Sequence, residues 1–189
     1  MASGENPELL RRALQYLYRK ETKSTFEIER ETPSQERANR FISVLEHAGR
    51  EPIEATFAEA SLTRLQNIIV DPRFAAKGFR TDQNCVGGAV KWEPVVHYVS
   101  PPPAIVRELM AGLATASAQL AKAAPVAQAT VAAFGFVFHH PFEDGNGRIH
   151  RLLIHDVLVR RGVVPGGMAL PVSAAILEDM AAYDRTLEA

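Results

Sequence analysis

Residues 140–151 read His-Pro-Phe-Glu-Asp-Gly-Asn-Gly-Arg-Ile-His-Arg, and this stretch sets the organisation of the C-terminal half of the chain. An apolar segment, residues 126–139, precedes it, and a segment with apolar residues at helical spacing follows it. The pattern predicts a buried helix, a tight polar turn and the start of a second helix. Glycines at 145 and 147 allow successive backbone N–H groups to converge on one point, which favours anion binding.

The same stretch carries side chains suited to phosphate chemistry. Arg148 and Arg151 are three residues apart, so they share a helix face and can both bind phosphate oxygens. Asp144 is a carboxylate that can hold Mg²⁺ against those phosphates, and His140 can take a proton near neutral pH. We interpret the segment as a phosphoryl- or nucleotidyl-transfer site. A plain turn capped by Asp144 is the alternative, but it leaves the paired arginines and the histidine unexplained.

Helical periodicity dominates the rest of the chain. The spacing of apolar residues predicts helices over residues 7–31, 34–48, 57–70, 104–123, 126–139, 145–161 and 172–189. Residues 78–100 combine glycines with short β-favouring pieces, which predicts a loop with a small hairpin.

Composition narrows the class of protein. The 189 residues suit one domain, or one domain with a small appendage. A net charge of -1 gives no global attraction to nucleic acid or to a membrane surface. The single cysteine, Cys85, excludes an internal disulfide. No apolar run approaches the roughly 18 residues of a membrane-spanning helix and no secretory signal is visible, so we expect a cytoplasmic protein. The last predicted helix runs to the final residue, which suggests truncation.

Residues 140–151 match in full the signature of the Fic domain family, HPFx(D/E)GNGRxxR, so the chain resembles that family. Weaker likenesses lie at residues 78–80, 98–102 and 171–173 and at Tyr183, and the resemblance covers roughly residues 55–189. It implies an all-α fold, a Fic-type helical bundle with a small β-hairpin flap. We divide the chain into N-terminal helices, residues 1–50, and a catalytic domain, residues 51–189.

The resemblance implies a protein adenylyltransferase that moves AMP from ATP to a hydroxyl side chain of a target protein, with Mg²⁺ as cofactor. By that likeness His140 deprotonates the hydroxyl, Asp144 holds Mg²⁺, and Phe142 anchors the loop in the core. The target docks on the flap near residues 80–99. The residues expected to bind the nucleotide are Gly145, Asn146, Gly147, Arg148, Arg151 and Tyr183.

Residues 25–29, Thr-Phe-Glu-Ile-Glu, are similar to the inhibitory motif of that family, (S/T)xxxE(G/N), in the class whose inhibitory helix is N-terminal. The resemblance assigns inhibition to Thr25 and Glu29, with Glu29 paired to Arg151 so that the γ-phosphate cannot bind productively. Arg30 departs from the motif, which has Gly or Asn there. The alternative is that Glu29 is one charge in a solvated run.

Other functions stay open at this stage. The same site could transfer phosphate or phosphocholine or remove AMP, and the fold could serve as a non-catalytic regulatory module. His155-Asp156 suggests a metal phosphohydrolase, but that interpretation leaves the Gly-Asn-Gly-Arg segment unexplained. Trp92 in the flap contacts either the target or the core. A homodimer is an open alternative to a monomer.

Overall fold

The computed structural model describes residues 7–90 and 93–188. In chain order the elements are α1 Pro7–Ile28, α2 Gln35–Glu46, α3 Ile53–Thr56, α4 Glu59–Ile69, β1 Cys85–Val90, β2 Glu93–Val99, α5 Pro103–Gln119, α6 Pro125–His139, α7 Asn146–Arg160, α8 Val172–Glu178 and α9 Met180–Glu188. The predicted all-α fold with a small hairpin is confirmed.

Helix α6 packs against α5 and α7. It begins at Pro125, a residue whose fixed φ suits the first helical position. The helix carries no Asp, Glu, Lys or Arg, and its residues Ala132, Ala133 and Phe136 are fully buried. Burial of this apolar helix fixes the position at which the loop to α7 leaves the core.

The C-terminal helix differs from its prediction. A single helix over residues 172–189 was expected, but the chain breaks at Asp179, whose φ is -143°. The Asp179 carboxylate accepts a hydrogen bond from the backbone N–H of Ala182 at 3.0 Å and so caps α9. Asp favours this position because its short side chain competes for backbone donors. The short α3 was also missed, since four residues carry no detectable periodicity.

The two strands form an antiparallel hairpin with a bulge between Val86 and Gly87. Its base is attached to the bundle through Tyr98, whose hydroxyl donates to the carbonyl of Phe138 at 2.6 Å. Trp92 lies outside the described residues. Among the helices of the described ranges, none has both the length and the apolar character needed to cross a membrane.

A buried carboxylate positions α1. Glu21 is fully buried and accepts hydrogen bonds from the backbone N–H and the hydroxyl of Ser173, at 2.9 and 2.6 Å. The imidazole Nε2 of His155 lies 3.3 Å from the same carboxylate. These contacts compensate the cost of burying the charge, and they join α1 to α8 and α7. The C-terminal end of α1 is thereby directed toward the loop between α6 and α7.

Candidate active site

The loop between α6 and α7 reverses direction through two residues in the left-handed region. His140 has a φ of 48° and ends α6, whereas Gly145 has a φ of 91° and precedes α7. A Cβ at position 145 would lie 2.8 Å from a methyl group of Val70, so both the backbone conformation and the space favour glycine there. The loop therefore needs this residue to place the N-terminus of α7.

Asn146 closes the loop through its side chain. Its carbonyl oxygen accepts from the N–H of Phe142 at 3.0 Å, and its amide donates to the carbonyl of Phe142 at 2.7 Å. Because the amide is used in both directions and the residue is buried, any contribution to phosphate binding would come from its backbone. Phe142 itself is fully buried and packs edge-on against Phe79 at 5.5 Å, so its predicted role as a core anchor is confirmed.

Two buried polar residues that the sequence analysis did not assign to the site hold the loop from outside. Arg80 donates its Nε–H to the carbonyl of His140 at 2.8 Å, and its backbone N–H bonds the carbonyl of Pro141 at 2.8 Å. Gln66 of α4 donates to the carbonyl of Asp144 at 3.2 Å. Their fixed backbone partners make the loop rigid. No sequence signal identifies Gln66, whereas Arg80 is the last of residues 78–80, one of the segments that resemble the family.

A backbone carbonyl orients the imidazole of His140. Its Nδ1 lies 3.1 Å from the carbonyl of Val137, and a carbonyl only accepts, so Nδ1 carries the proton in the neutral ring. The lone pair of Nε2 then remains for proton transfer. Burial lowers the pKa of His140, and the charge of Arg80 lowers it further. The imidazole is therefore neutral at pH 7, as a general base requires.

Arg148 and Arg151 of α7 lie on one face and are almost completely buried, with 1% of each residue exposed. A buried guanidinium is costly unless anionic or polar acceptors surround it. The acceptors of Arg151 come from the end of α1, whereas Arg148 is bound both by Asp144 of the loop and by Glu31, which follows α1. The contact between Arg151 and Glu29 is the one predicted for the inhibitory motif.

Arg151 is bound by Thr25 and Glu29. Its Nε donates to the Thr25 hydroxyl at 2.7 Å, and its Nη2 donates to the Thr25 carbonyl at 3.1 Å. Nη2 also donates to Oε1 of Glu29 at 2.7 Å. Gly147 makes this approach possible, since a Cβ there would lie 2.5 Å from the Glu29 carboxylate. The predicted contact between Glu29 and Arg151 is present, and its inhibitory role stays a prediction.

Arg30 occupies the residue position just past the end of α1, where its φ is 55°. The N–H of Arg30 bonds the carbonyl of Glu27, and the N–H of Glu31 bonds the carbonyl of Phe26, both at 3.0 Å. This pair of bonds is the Schellman helix ending, whose left-handed residue is most often glycine or asparagine. The Gly or Asn of the family motif is thus explained by the positive φ at this position. Arg30 adopts the same backbone conformation at some cost in free energy.

We expect Arg30→Gly to stabilise the protein by about 0.5–1 kcal/mol, because glycine adopts a positive φ without steric penalty. For a chain of this length the unfolding temperature rises by roughly 1–4 °C, measured by circular dichroism. Arg30→Ala is the matched control, since it removes the same guanidinium but keeps a Cβ, and it gives no increase. An equal increase in both variants would mean that the charge of Arg30, not its backbone, sets the stability.

Asp144 has the chemistry of a single-carboxylate magnesium ligand. Its Oδ1 accepts from the N–H of Gly145 at 2.6 Å and from Nη2 of Arg148 at 2.8 Å. Among the contacts of the described residues only Oδ1 is engaged, and a third of the side chain is exposed. Mg²⁺ is usually held by one or two carboxylates together with substrate phosphates. The position fits such an ion shared with a bound nucleotide.

The structure also brings Tyr183 of α9 to this site, as expected. Burial raises the pKa of its hydroxyl, and the nearby charge of Arg151 opposes that rise. Its ring lies 6.0 Å from that of His150. His155 and Asp156, by contrast, serve separate structural contacts: His155 faces Glu21, and Asp156 accepts from the N–H of Gly49 at 2.7 Å.

Comparison with known proteins agrees with this geometry. The Fic/DOC family model matches residues 56–158, which contain the whole loop and most of α7. The chain therefore belongs to the Fic/DOC family, whose domains are generally transferases.

Two solved structures share the fold. A Fic family protein from Desulfovibrio desulfuricans G20 superposes with a TM-score of 0.69 at 22% identity, over 93% of this chain and 57% of that protein. A Fic domain-containing signaling protein from Bacteroides thetaiotaomicron VPI-5482 gives a TM-score of 0.64 at 20% identity, over 93% of this chain and 75% of that protein. The chain thus spans little more than half the length of the first.

Proposed function

We propose that this chain is a protein adenylyltransferase that moves AMP from ATP to a hydroxyl side chain of a target protein, with Mg²⁺ as cofactor, and that Glu29 holds it inactive. The observation that carries the proposal is the pair of buried arginines, Arg148 and Arg151, on the helix that follows the loop of His140. Carboxylate side chains compensate the charges of both arginines. An anionic substrate can take the same positions.

In the proposed reaction the Nε2 of His140 removes the proton of the target hydroxyl. The hydroxyl oxygen attacks the α-phosphorus of ATP, a new P–O bond forms, and the bond between that phosphorus and the bridging α–β oxygen breaks. Pyrophosphate leaves with the electron pair, and Arg148 and Arg151 stabilise its β and γ oxygens. Mg²⁺ at Asp144 would neutralise further phosphate charge. The neutral state of His140 at pH 7 suits the first step.

The hairpin is proposed as the place where the target docks. Its two strands pair only with each other in the described structure, so their outer edges offer main-chain groups to an extended segment. Apolar side chains along it are exposed, with Val96 at 52% and Val99 at 63%. Because Tyr98 fixes the hairpin to the end of α6 beside His140, a docked hydroxyl would arrive close to the base.

Inhibition is proposed to act on Arg151. The guanidinium that would bind the γ-phosphate is already bound by Glu29 and Thr25. ATP can then bind without the orientation that transfer needs. Glu29 therefore controls the reorientation of bound ATP, and through it the turnover rate.

Transfer of label from ATP tests the function. The protein and its Glu29→Gly variant are incubated with a cell lysate and with ATP labelled at either the α or the γ position. The proposal predicts that the protein adds label from the α position alone to that found in lysate incubated without it. Added label from the γ position would mean phosphate transfer, and absence of both would mean a binding module.

A further inference from the structure

A second carboxylate from the same segment binds the other arginine. Glu31 follows the left-handed residue Arg30, and the Schellman ending turns it back toward α7. Its Oε1 lies 3.0 Å from Nη1 of Arg148, and its Oε2 lies 2.8 Å from Nη2 of Arg37 in α2. Glu31 is outside the inhibitory motif of residues 25–30 and contacts a different arginine from Glu29.

The aromatic ring of Phe26 contacts both arginines that bind Glu31. The Cζ atoms of Arg37 and Arg148 lie 5.2 and 5.5 Å from the centroid of the Phe26 ring, within the range of cation–π contacts. Phe26 is fully buried and packs edge-on against Phe41 of α2 at 5.7 Å. The two guanidiniums therefore share one ring and one carboxylate. Arg37 holds one oxygen of the Glu31 carboxylate, Oε2, while the other, Oε1, faces Arg148.

The effect of Glu31 on phosphate binding follows from the acidic side chains around Arg148. Arg148 has 1% of its surface exposed, and its acidic partners are Asp144 and Glu31. Asp144 belongs to the loop itself and is the proposed metal ligand, so Mg²⁺ would compete for it when a nucleotide binds. Glu31 belongs to the N-terminal segment and has no such role. A phosphate oxygen must therefore compete with Glu31 for Arg148.

We propose that Glu31 is a second inhibitory carboxylate, which occupies the Arg148 end of the phosphate site and lowers the affinity for nucleotides that carry more than one phosphate. This inference rests on the proposed function, in which Arg148 binds the β- and γ-phosphates. It adds a separate effect to that of Glu29. Glu29 limits turnover through Arg151, and Glu31 limits binding through Arg148.

Binding of ATP, ADP and AMP in the presence of Mg²⁺, measured by titration calorimetry, tests the proposal. Glu31→Gln keeps the shape of the side chain and removes its charge. Its Kd for ATP and for ADP falls about three- to tenfold relative to the wild type, because a phosphate no longer displaces an ion pair. Its Kd for AMP is unchanged, since AMP lacks the outer phosphates. Glu27→Gln, an equal change of charge at an exposed position of α1, leaves all three constants unchanged.

The outcomes separate this inference from the proposed function. If Glu31→Gln binds ATP no more tightly than the wild type, the inference is wrong, even when Glu29→Gly transfers AMP. Equal tightening for AMP, or the same tightening in Glu27→Gln, would show a general charge effect and would also overturn it. If Glu31→Gln tightens ATP selectively but no variant transfers AMP, the second carboxylate stands and the proposed reaction fails. If no variant binds ATP, both fail.

Discussion

Glu29→Gly is expected to raise the rate of AMP transfer about 10- to 100-fold over the wild type. The variant removes the charge-assisted bond at 2.7 Å between Arg151 and Glu29, and such bonds contribute roughly 1.5–3 kcal/mol. The freed guanidinium can then bind the γ-phosphate. Because Thr25 still binds Arg151, the fold of the site is retained. The measurement is the initial rate of α-label transfer to a lysate protein or to the enzyme itself.

Glu27→Gly is the matched control for this result. It places the same residue two positions earlier on α1 and removes an exposed carboxylate, but it leaves the contact between Glu29 and Arg151 intact. We expect its rate to equal that of the wild type. A similar activation in both variants would attribute the effect to loosening of the helix end. No activation in Glu29→Gly, with ATP bound, would make the inhibitory role of Glu29 wrong.

His140→Ala, introduced into the Glu29→Gly variant, is expected to lower the transfer rate by about 10²–10⁴-fold, the usual range for loss of a general base. The affinity for ATP stays nearly the same, because the imidazole acts on the incoming hydroxyl and not on the phosphates. Rate and affinity are measured on the same preparation. Loss of ATP binding together with activity would instead identify His140 as a structural residue of the loop.

The pH dependence of the parent Glu29→Gly variant gives a companion test of the base. Burial lowers the pKa of His140 below its usual value of about 6.5. Transfer at saturating ATP should therefore be constant through neutral pH and fall only as the pH drops below about 6.5, where the imidazole becomes protonated. A fall in the transfer rate on acidification with its midpoint above pH 7 would contradict a neutral, buried base.

Local sequence chemistry was enough to predict the core of the site. The glycines at 145 and 147 predicted a tight turn, and the three-residue spacing placed Arg148 and Arg151 on one helix face. Resemblance to a family supplied the pairing of Glu29 with Arg151, which no spacing could show across a separation of 122 residues. The structure then explained the motif position of Arg30 through its backbone conformation.

The remaining features depend on tertiary contacts that leave no periodic signal. Glu31 and Arg148 are 117 residues apart, and in the sequence Glu31 is one of several neighbouring charges. Nothing in the sequence distinguishes Gln66 from other polar residues, and the likeness at residues 78–80 does not show that Arg80 binds the carbonyl of His140. Asp179 separates α8 from α9 by capping α9, and this break depends on how the two helices pack.

The proposed inhibition depends on which group binds Arg151 when nucleotide is present. Crystal structures of the wild type and of Glu29→Gly, each soaked with ATP and Mg²⁺, show this contact. We predict that Arg151 stays on Glu29 in the wild type, with the γ-phosphate away from it, and that in the variant the same guanidinium binds the γ-phosphate while the α-phosphate faces Nε2 of His140. A wild-type complex with Arg151 already on the γ-phosphate, or nucleotide bound away from residues 144–151, would contradict the account.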